Sequence, residues 1–72
     1  MMGGVAVLGE EPLIRGYALA GAQVFPADDP AQVRAAWREL PPGFDVVILT
    51  AFAGQVLGDV RDVARPLVVV MR

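Results

Sequence analysis

Four short apolar runs alternate along the chain with segments whose apolar residues recur at helical spacing. The runs are rich in β-branched residues and are bounded by Gly, Pro or Asp, which is typical of buried strands. We therefore predict strands at Val5–Leu8, Gln23–Phe25, Asp45–Thr50 and Leu67–Met71.

Helix start and stop signals lie between the first three strands. The first helix is predicted to begin near Pro12 and to stop at Gly21, because Pro suits the first helical position and Gly suits the residue after the last turn. The second is predicted to have Asp29 as its N-cap and Pro30 at its first position. It should end at Pro41, because proline cannot continue a helix.

A third helix is predicted over Phe52–Val63, although Gly54 and Gly58 each cost about 1 kcal/mol relative to Ala within a helix. Gly16, inside the first helix, is equally unfavourable, and close packing of that helix on the sheet or on a partner would explain it. The residues expected on the apolar faces of the three helices are Ile14, Tyr17, Ala18 and Gly21, then Val33, Ala36, Trp37 and Leu40, then Ala53, Val56, Leu57 and Val60.

The order of elements, βαβαβαβ, predicts a parallel sheet, because each crossover helix returns the chain to the same end. We predict one domain over residues 1–72, of the α/β class, with a flavodoxin-like (receiver-like) four-stranded sheet in the order 2-1-3-4 and helices on both faces. That fold usually continues into a fifth strand or a last helix. Here Leu67 to Met71 would form an open edge, where self-association is an expected hazard.

The composition removes much of enzyme chemistry. The chain contains no Ser, Asn, Lys, His or Cys, and only Thr50 and Tyr17 carry hydroxyls. It therefore lacks an imidazole base, the usual activated nucleophiles and a phosphate-binding lysine. Six basic against eight acidic residues give a formal charge of -2, which argues against a nucleic-acid partner. We expect a non-enzymatic protein without catalytic residues, cofactor or metal.

The mean hydropathy of +0.54 is high enough that a membrane span must be considered. The longest uncharged run, Val46–Gly58, has 13 residues, whereas a spanning helix needs roughly 20 apolar residues. The N-terminus has no basic region of the kind that begins a signal peptide. We therefore expect a cytoplasmic protein with no direct membrane insertion.

In open α/β sheets, ligand sites lie beyond the carboxyl ends of the strands. A dinucleotide site would need a glycine-rich turn after the first strand, where this chain has Gly9, Glu10, Glu11 and Pro12. A phosphate-binding loop would need a lysine, which is absent. The adjacent glutamates could serve as an acid and base pair only if a neighbour set their pKa values apart, and the sequence offers none.

A response-regulator receiver has the same predicted fold, and its acidic pair after the first strand is imitated by Glu10 and Glu11. The pair could attract a divalent cation weakly, but we favour the simpler reading of negative charge at a helix N-terminus. The third strand ends in Thr50 instead of a phosphate-accepting Asp. Asp45 lies at the opposite end of that strand, and the receiver lysine is missing.

The segment Val5–Gly21, VAVLGEEPLIRGYALAG, resembles the N-terminal segment of the F subunit of V/A-type rotary ATPases. Gly9 and Glu10 match the Gly-acidic pair after the first strand of that family. Gly16–Gly21 matches its Gly-Phe-x-Leu-Ala-Gly motif, with Tyr in place of Phe. Val24 and Phe25 and the following Asp-Asp-Pro helix start are also similar, so that the resemblance extends over essentially the whole chain.

The resemblance implies a non-catalytic subunit of the central stalk, which turns with the coiled-coil D subunit as ATP hydrolysis or synthesis is coupled to ion transport. Leu13 departs from the family, which often has Thr there, and the C-terminal helix that usually packs on the D subunit has no counterpart. The alternatives are a degenerate receiver-like protein-binding module without phosphotransfer and a small enzyme that uses Glu10 or Glu11. Partner contacts are expected at Glu10, Glu11, Arg15, Thr50, Leu67 and Val69.

Overall fold

The computed structural model describes residues 4–58 and 67–71. Its helical elements are α1 (Glu11–Ile14), a 3₁₀ segment (Arg15–Ala20), α2 (Pro30–Arg38) and α3 (Ala51–Leu57). Its strands are β1 (Val5–Gly9), β2 (Gln23–Pro26), β3 (Val46–Leu49) and β4 (Leu67–Val70). None of the helices in these two ranges is long and apolar enough to cross a membrane.

The four strands form one parallel sheet in the order β2-β1-β3-β4, which confirms the predicted fold class and strand order. Ala6 lies beside Gln23 on one side and Val47 on the other, and Val47 lies beside Val68. Because side chains alternate along a strand, neighbours in register share one face of the sheet. The register of the strands therefore assigns each strand residue to one of the two faces of the sheet.

The hydrophobic core lies between one face of the sheet and the pair α2 and α3. It consists of Ala6, Leu8, Val47, Leu49 and Val68 from the sheet, with Ala27, Val33 and Ala53 from the other side. The remaining residues predicted on the apolar faces of these helices are half-buried against this core, namely Ala36, Trp37, Leu40, Val56 and Leu57. This confirms the predicted faces, except that Val60 lies outside the described residues.

The predicted first helix is wrong in its form and in its apolar face. α1 has a single turn, and the chain then tightens into the 3₁₀ segment, so that Ile14 is buried but Tyr17 and Ala18 are exposed. A 3₁₀ helix turns once in three residues, so positions spaced for an α-helix no longer share a face. The stop at Gly21 is confirmed by a left-handed φ of 92°, a conformation that glycine adopts without strain.

Two further predictions about helices need correction. Gly16 is not closely packed on the sheet, since no atom in the described part of the chain lies within 4 Å of the position where its Cβ would be. Packing of this position on a partner stays a prediction. α3 begins at Ala51 and its described part ends at Leu57, whereas the prediction ran from Phe52 to Val63. The stretch from 59 to 63 lies outside the described residues. β3 is also shorter than predicted, because Thr50 leaves the strand to become the N-cap of α3.

The second face of the sheet is covered over β1 and β2 by α1 and the 3₁₀ segment. No helix in the described ranges lies over β3 and β4 on this side, although the prediction placed helices on both faces of β3. We call this surface the open face and define it by Val5, Val46, Ile48, Leu67 and Val69. Val46 and Ile48 are half-buried, while Val5, Leu67 and Val69 are 36%, 62% and 45% exposed.

The two edges of the sheet differ in the hydrogen bonds that they can form. Leu67 and Met71 donate their N–H groups to β3, at Asp45 and Leu49. Alternate residues of a parallel strand point to opposite sides, so the N–H and C=O groups of Val68 and Val70 point outward. On β2 the same alternation turns Pro26 outward, and proline has no N–H to donate.

Candidate functional site at the carboxyl edge of the sheet

The loops after β1, β2 and β3 meet at the carboxyl edge of the sheet, where this type of fold places its ligand sites. Thr50 joins two of these loops. Its hydroxyl donates to Oε1 of Glu10 at 2.5 Å and accepts the N–H of Ala53 at 3.2 Å. The Thr50 side chain therefore caps α3 and anchors the loop after β1 at the same time.

The contact between Thr50 and the first loop depends on Gly9. A Cβ at position 9 would lie 2.2 Å from Cγ2 of Thr50 and 2.4 Å from its hydroxyl oxygen. Such distances are well below van der Waals contact, so any larger residue would push Thr50 away. Thr50 is buried, at 2% exposure. Gly9 is thus explained by close packing inside the protein, without any need for a phosphate group above it.

The loop after β2 is tied to its neighbours through the two aspartates. Asp28 accepts the N–H of Glu11 at 3.1 Å, and its own N–H donates to the side chain of Gln32 at 2.8 Å. Asp29 accepts the N–H of Gln32 at 2.8 Å, which confirms it as the N-cap of α2. These two bonds form a variant of the capping box. Gln32, at the third helical position, reaches back to Asp28, the residue before the N-cap.

The two glutamates have separate partners. Glu11 lies in the first turn of α1 and pairs with Arg15 at 2.8 Å. Both side chains are well exposed, so this ion pair contributes little to stability. Glu10 precedes the helix, but its carboxylate caps no helical N–H and instead accepts the hydroxyl of Thr50. The preference for negative charge at a helix N-terminus therefore explains the position of Glu11. Glu10 instead connects the loop after β1 to Thr50.

The contact between Thr50 and Glu10 has only part of the geometry of an activated nucleophile. Thr50 and Glu10 have the spacing of a nucleophile and a base, but the hydroxyl is buried, and among the described residues no third group bonds to the Glu10 carboxylate. Within residues 4–58 and 67–71, no cluster of three or more acidic residues could hold a metal ion. The same residues leave no buried side-chain polar atom without a hydrogen-bond partner. The carboxyl edge is best described as a set of contacts that fastens three loops together.

A cavity of about 220 Å³ lies at the opposite end of the sheet, in the loop that leads from α2 to β3. Its walls are mainly apolar and are formed by Trp37, Leu40, Pro41, Pro42, Gly43 and Phe44. The volume is below the roughly 300 Å³ at which ordinary small-molecule sites begin. Its residues also supply no charged side chain that could orient a ligand.

The residues predicted to contact a partner fall into two separate groups. Glu10, Glu11, Arg15 and Thr50 lie at the carboxyl edge, where they bond to one another and to the neighbouring loops. Leu67 and Val69 lie on the open face and are well exposed. The buried Thr50 offers a partner little surface, whereas Leu67 and Val69 belong to the open face, which also includes Val5. The apolar pattern of the first strand does not distinguish an exposed Val5 from a buried one, because it predicts a sheet with helices on both faces.

The chain matches no protein-family model, no curated protein and no solved structure. The resemblance to rotary ATPase F subunits therefore remains a prediction from the residues that carry it.

Proposed function

We propose that the chain is a non-catalytic subunit of the central stalk of a V/A-type rotary ATPase, bound to the coiled-coil D subunit. The single observation that carries the proposal is the open face, an apolar surface with Leu67 and Val69 exposed on β4 and Val5 exposed on β1. Contiguous exposed apolar surface is a common feature of binding sites for other proteins. The resemblance of Gly9 to Gly21 to the F subunit supplies the identity of that protein.

The open face has the dimensions of a helix-binding surface. Neighbouring strands lie about 4.8 Å apart, so β3 and β4 together present a strip as wide as one helix, which is about 10 Å across. In α/β sheets a helix is the element that covers such a strip. A coiled-coil subunit, whose helices carry apolar residues at regular spacing, offers a helix of this type.

A stalk role agrees with the chemistry of the carboxyl edge. A subunit that turns with the rotor and couples ATP hydrolysis or synthesis to ion transport by assembly alone needs no active site. The bonds of Thr50 with Glu10, and of Asp28 with Glu11, give the domain fixed loops in place of a reactive cleft. This accessory role requires a cytoplasmic location at the periphery of a membrane-bound complex.

Co-expression with the D subunit from the same organism tests the proposal. We expect the two chains to elute together in size-exclusion chromatography at micromolar concentration. Val5→Glu should abolish co-elution, because it places a carboxylate on the open face. Gln55→Glu is the matched control, since Gln55 is exposed on α3 at the covered side of the sheet, and it should leave binding unchanged. Separate elution of the wild-type chain and the D subunit would overturn the proposal.

The second candidate is a degenerate receiver-like module that binds a protein without phosphotransfer. The observation that favours it is the strand order 2-1-3-4 with Glu10 and Glu11 directly after β1. In this fold the end of β3 faces that acidic pair, and here Thr50 occupies that position and bonds to Glu10. The module becomes the preferred function if the chain binds a protein other than the D subunit and, as the missing Asp and Lys predict, takes up no phosphate from acetyl phosphate in the presence of magnesium.

A further inference from the structure

We infer that β4 pairs with β4 of a second copy of the chain, in antiparallel orientation, about a two-fold axis that passes through Val69. This pairing uses the outer edge of β4, whereas the proposed stalk contact uses the open face of the sheet. It therefore goes beyond the proposed function and can be tested on the isolated chain.

The backbone of β4 is prepared for this pairing. Because Leu67 and Met71 donate to β3, Val68 and Val70 direct their N–H and C=O groups away from the sheet. No other strand in the described part of the chain lies beside them. The edge of β2 is different, because one of its two outward positions is Pro26, which has no N–H. β4 is thus the edge that can form a complete ladder.

The outward groups also define the register. In an antiparallel pair, residues that exchange both hydrogen bonds alternate with residues that exchange none. When Val68 lies opposite Val70 of the second copy, each donates to and accepts from the other, and the same exchange is repeated on the far side of the axis. Val69 then faces its own copy at a position without hydrogen bonds. This register satisfies every outward group of Val68 and Val70.

The side chains are compatible with a two-fold axis. Under that symmetry a residue meets its own copy, so a charge at the axis would be repelled by an identical charge. Residues 67–71 contain no charged side chain. On the open face, Val69 lies opposite Val69 and Leu67 lies opposite Met71, so that apolar side chains pair with apolar side chains. Natural edge strands usually carry charge or Pro against such pairing, and Leu67–Val70 carries neither.

The size of the contact sets its strength. A seam formed by one short strand from each copy is much smaller than the roughly 800 Å² per partner of a stable complex. The dimer should therefore be weak and reversible, and its population should rise with concentration. Sedimentation velocity of the 72-residue chain from micromolar to millimolar concentration should show a monomer that converts to a dimer.

Charge substitutions at the axis test the register. Val69→Lys and Val69→Glu should each give a monomer over the whole range, because like charges would face each other. An equimolar mixture of the two should recover the dimer, a result that also shows that both variants fold. Leu19→Lys is the matched control, since Leu19 is 95% exposed on the 3₁₀ segment, and it should dimerise as wild type. A wild-type chain that stays monomeric up to millimolar concentration would overturn the inference.

Disulfide trapping tests the geometry at the axis. The chain has no cysteine, so Val69→Cys creates a single thiol. Residues opposite each other at a position without hydrogen bonds have Cα atoms about 4.5 Å apart, which lies within the range for a disulfide. Under mild oxidation Val69→Cys should cross-link much faster than Leu19→Cys. Equal rates for the two variants would exclude the proposed axis. Because no partner protein is present, these results do not depend on whether the D subunit binds.

Discussion

At the scale of single residues, Gly9 and Thr50 determine how the loops after β1 and β3 meet. The hydroxyl of Thr50 both caps α3 and holds Glu10, and this is possible only because position 9 has no side chain. The absence of a side chain at Gly9 therefore allows two loops that are distant in sequence to pack against each other. Gly16 has no such constraint, because its surroundings are open.

The two glycines should respond in opposite ways to the same substitution. Gly9→Ala should lower the free energy of unfolding by about 1–3 kcal/mol, because the new methyl group displaces Thr50. Gly16→Ala should raise it by up to about 1 kcal/mol, because φ at Gly16 is not positive and the unfolded chain loses freedom. Urea denaturation of both variants provides the measurement. A neutral Gly9→Ala would show that Thr50 can move without cost.

At the scale of elements, the sequence was sufficient where a pattern reflects local chemistry. Asp29 and Pro30 start α2 and Gly21 stops the 3₁₀ segment as predicted, because caps act within one turn. The first helix was mispredicted because its apolar spacing suits an α-helix, whereas the chain tightens into 3₁₀ after Ile14. The bond between Thr50 and Glu10 spans 40 residues. Only the assembled sheet brings these two residues together, so no local pattern could reveal it.

Thr50 is the N-cap of α3, a role that the sequence did not identify, and substitution of Thr50 tests it. Thr50→Val keeps the shape of the side chain but removes the hydroxyl, so the N–H of Ala53 and the carboxylate of Glu10 lose their partner. We expect the free energy of unfolding to fall by about 1–2 kcal/mol. Thr50→Ser retains the hydroxyl and should lose much less. The idea fails if the two variants are equally stable in urea denaturation.

At the scale of the whole molecule, the described helices cover one face of the sheet fully and the other only over β1 and β2. Beyond β1 and β2 the hydroxyl of Tyr17 reaches Met71, to whose sulfur it donates. The core between the sheet and α2 and α3 contains most of the buried apolar residues in the described part of the chain, and a domain of this size can bury only a modest core. The open face and the outer edge of β4 adjoin each other at Leu67 and Val69. A protein partner and a second copy of the chain would therefore bind to neighbouring surfaces.

Hydrogen exchange measures the protection of each backbone amide along the outer edge of β4. In the isolated chain the N–H groups of Val68 and Val70 point outward and should exchange quickly at low concentration. Pairing with a second copy should slow both of them as concentration rises. Val24, which points outward on β2, should exchange at the same rate throughout, and Val69, which points towards β3, should be protected at every concentration. Equal concentration dependence at Val24 and Val68 would indicate non-specific aggregation.

Pro26 limits how far the sheet can extend when two copies of the chain pair through β4. When two copies join through β4, the ends of the extended sheet are the two β2 strands, and each carries Pro26 at an outward position. A third copy that approached either end would find an incomplete row of donors. Growth of the sheet should therefore stop at two copies, because the uncharged edge of β4 is then paired and is no longer exposed to a third chain.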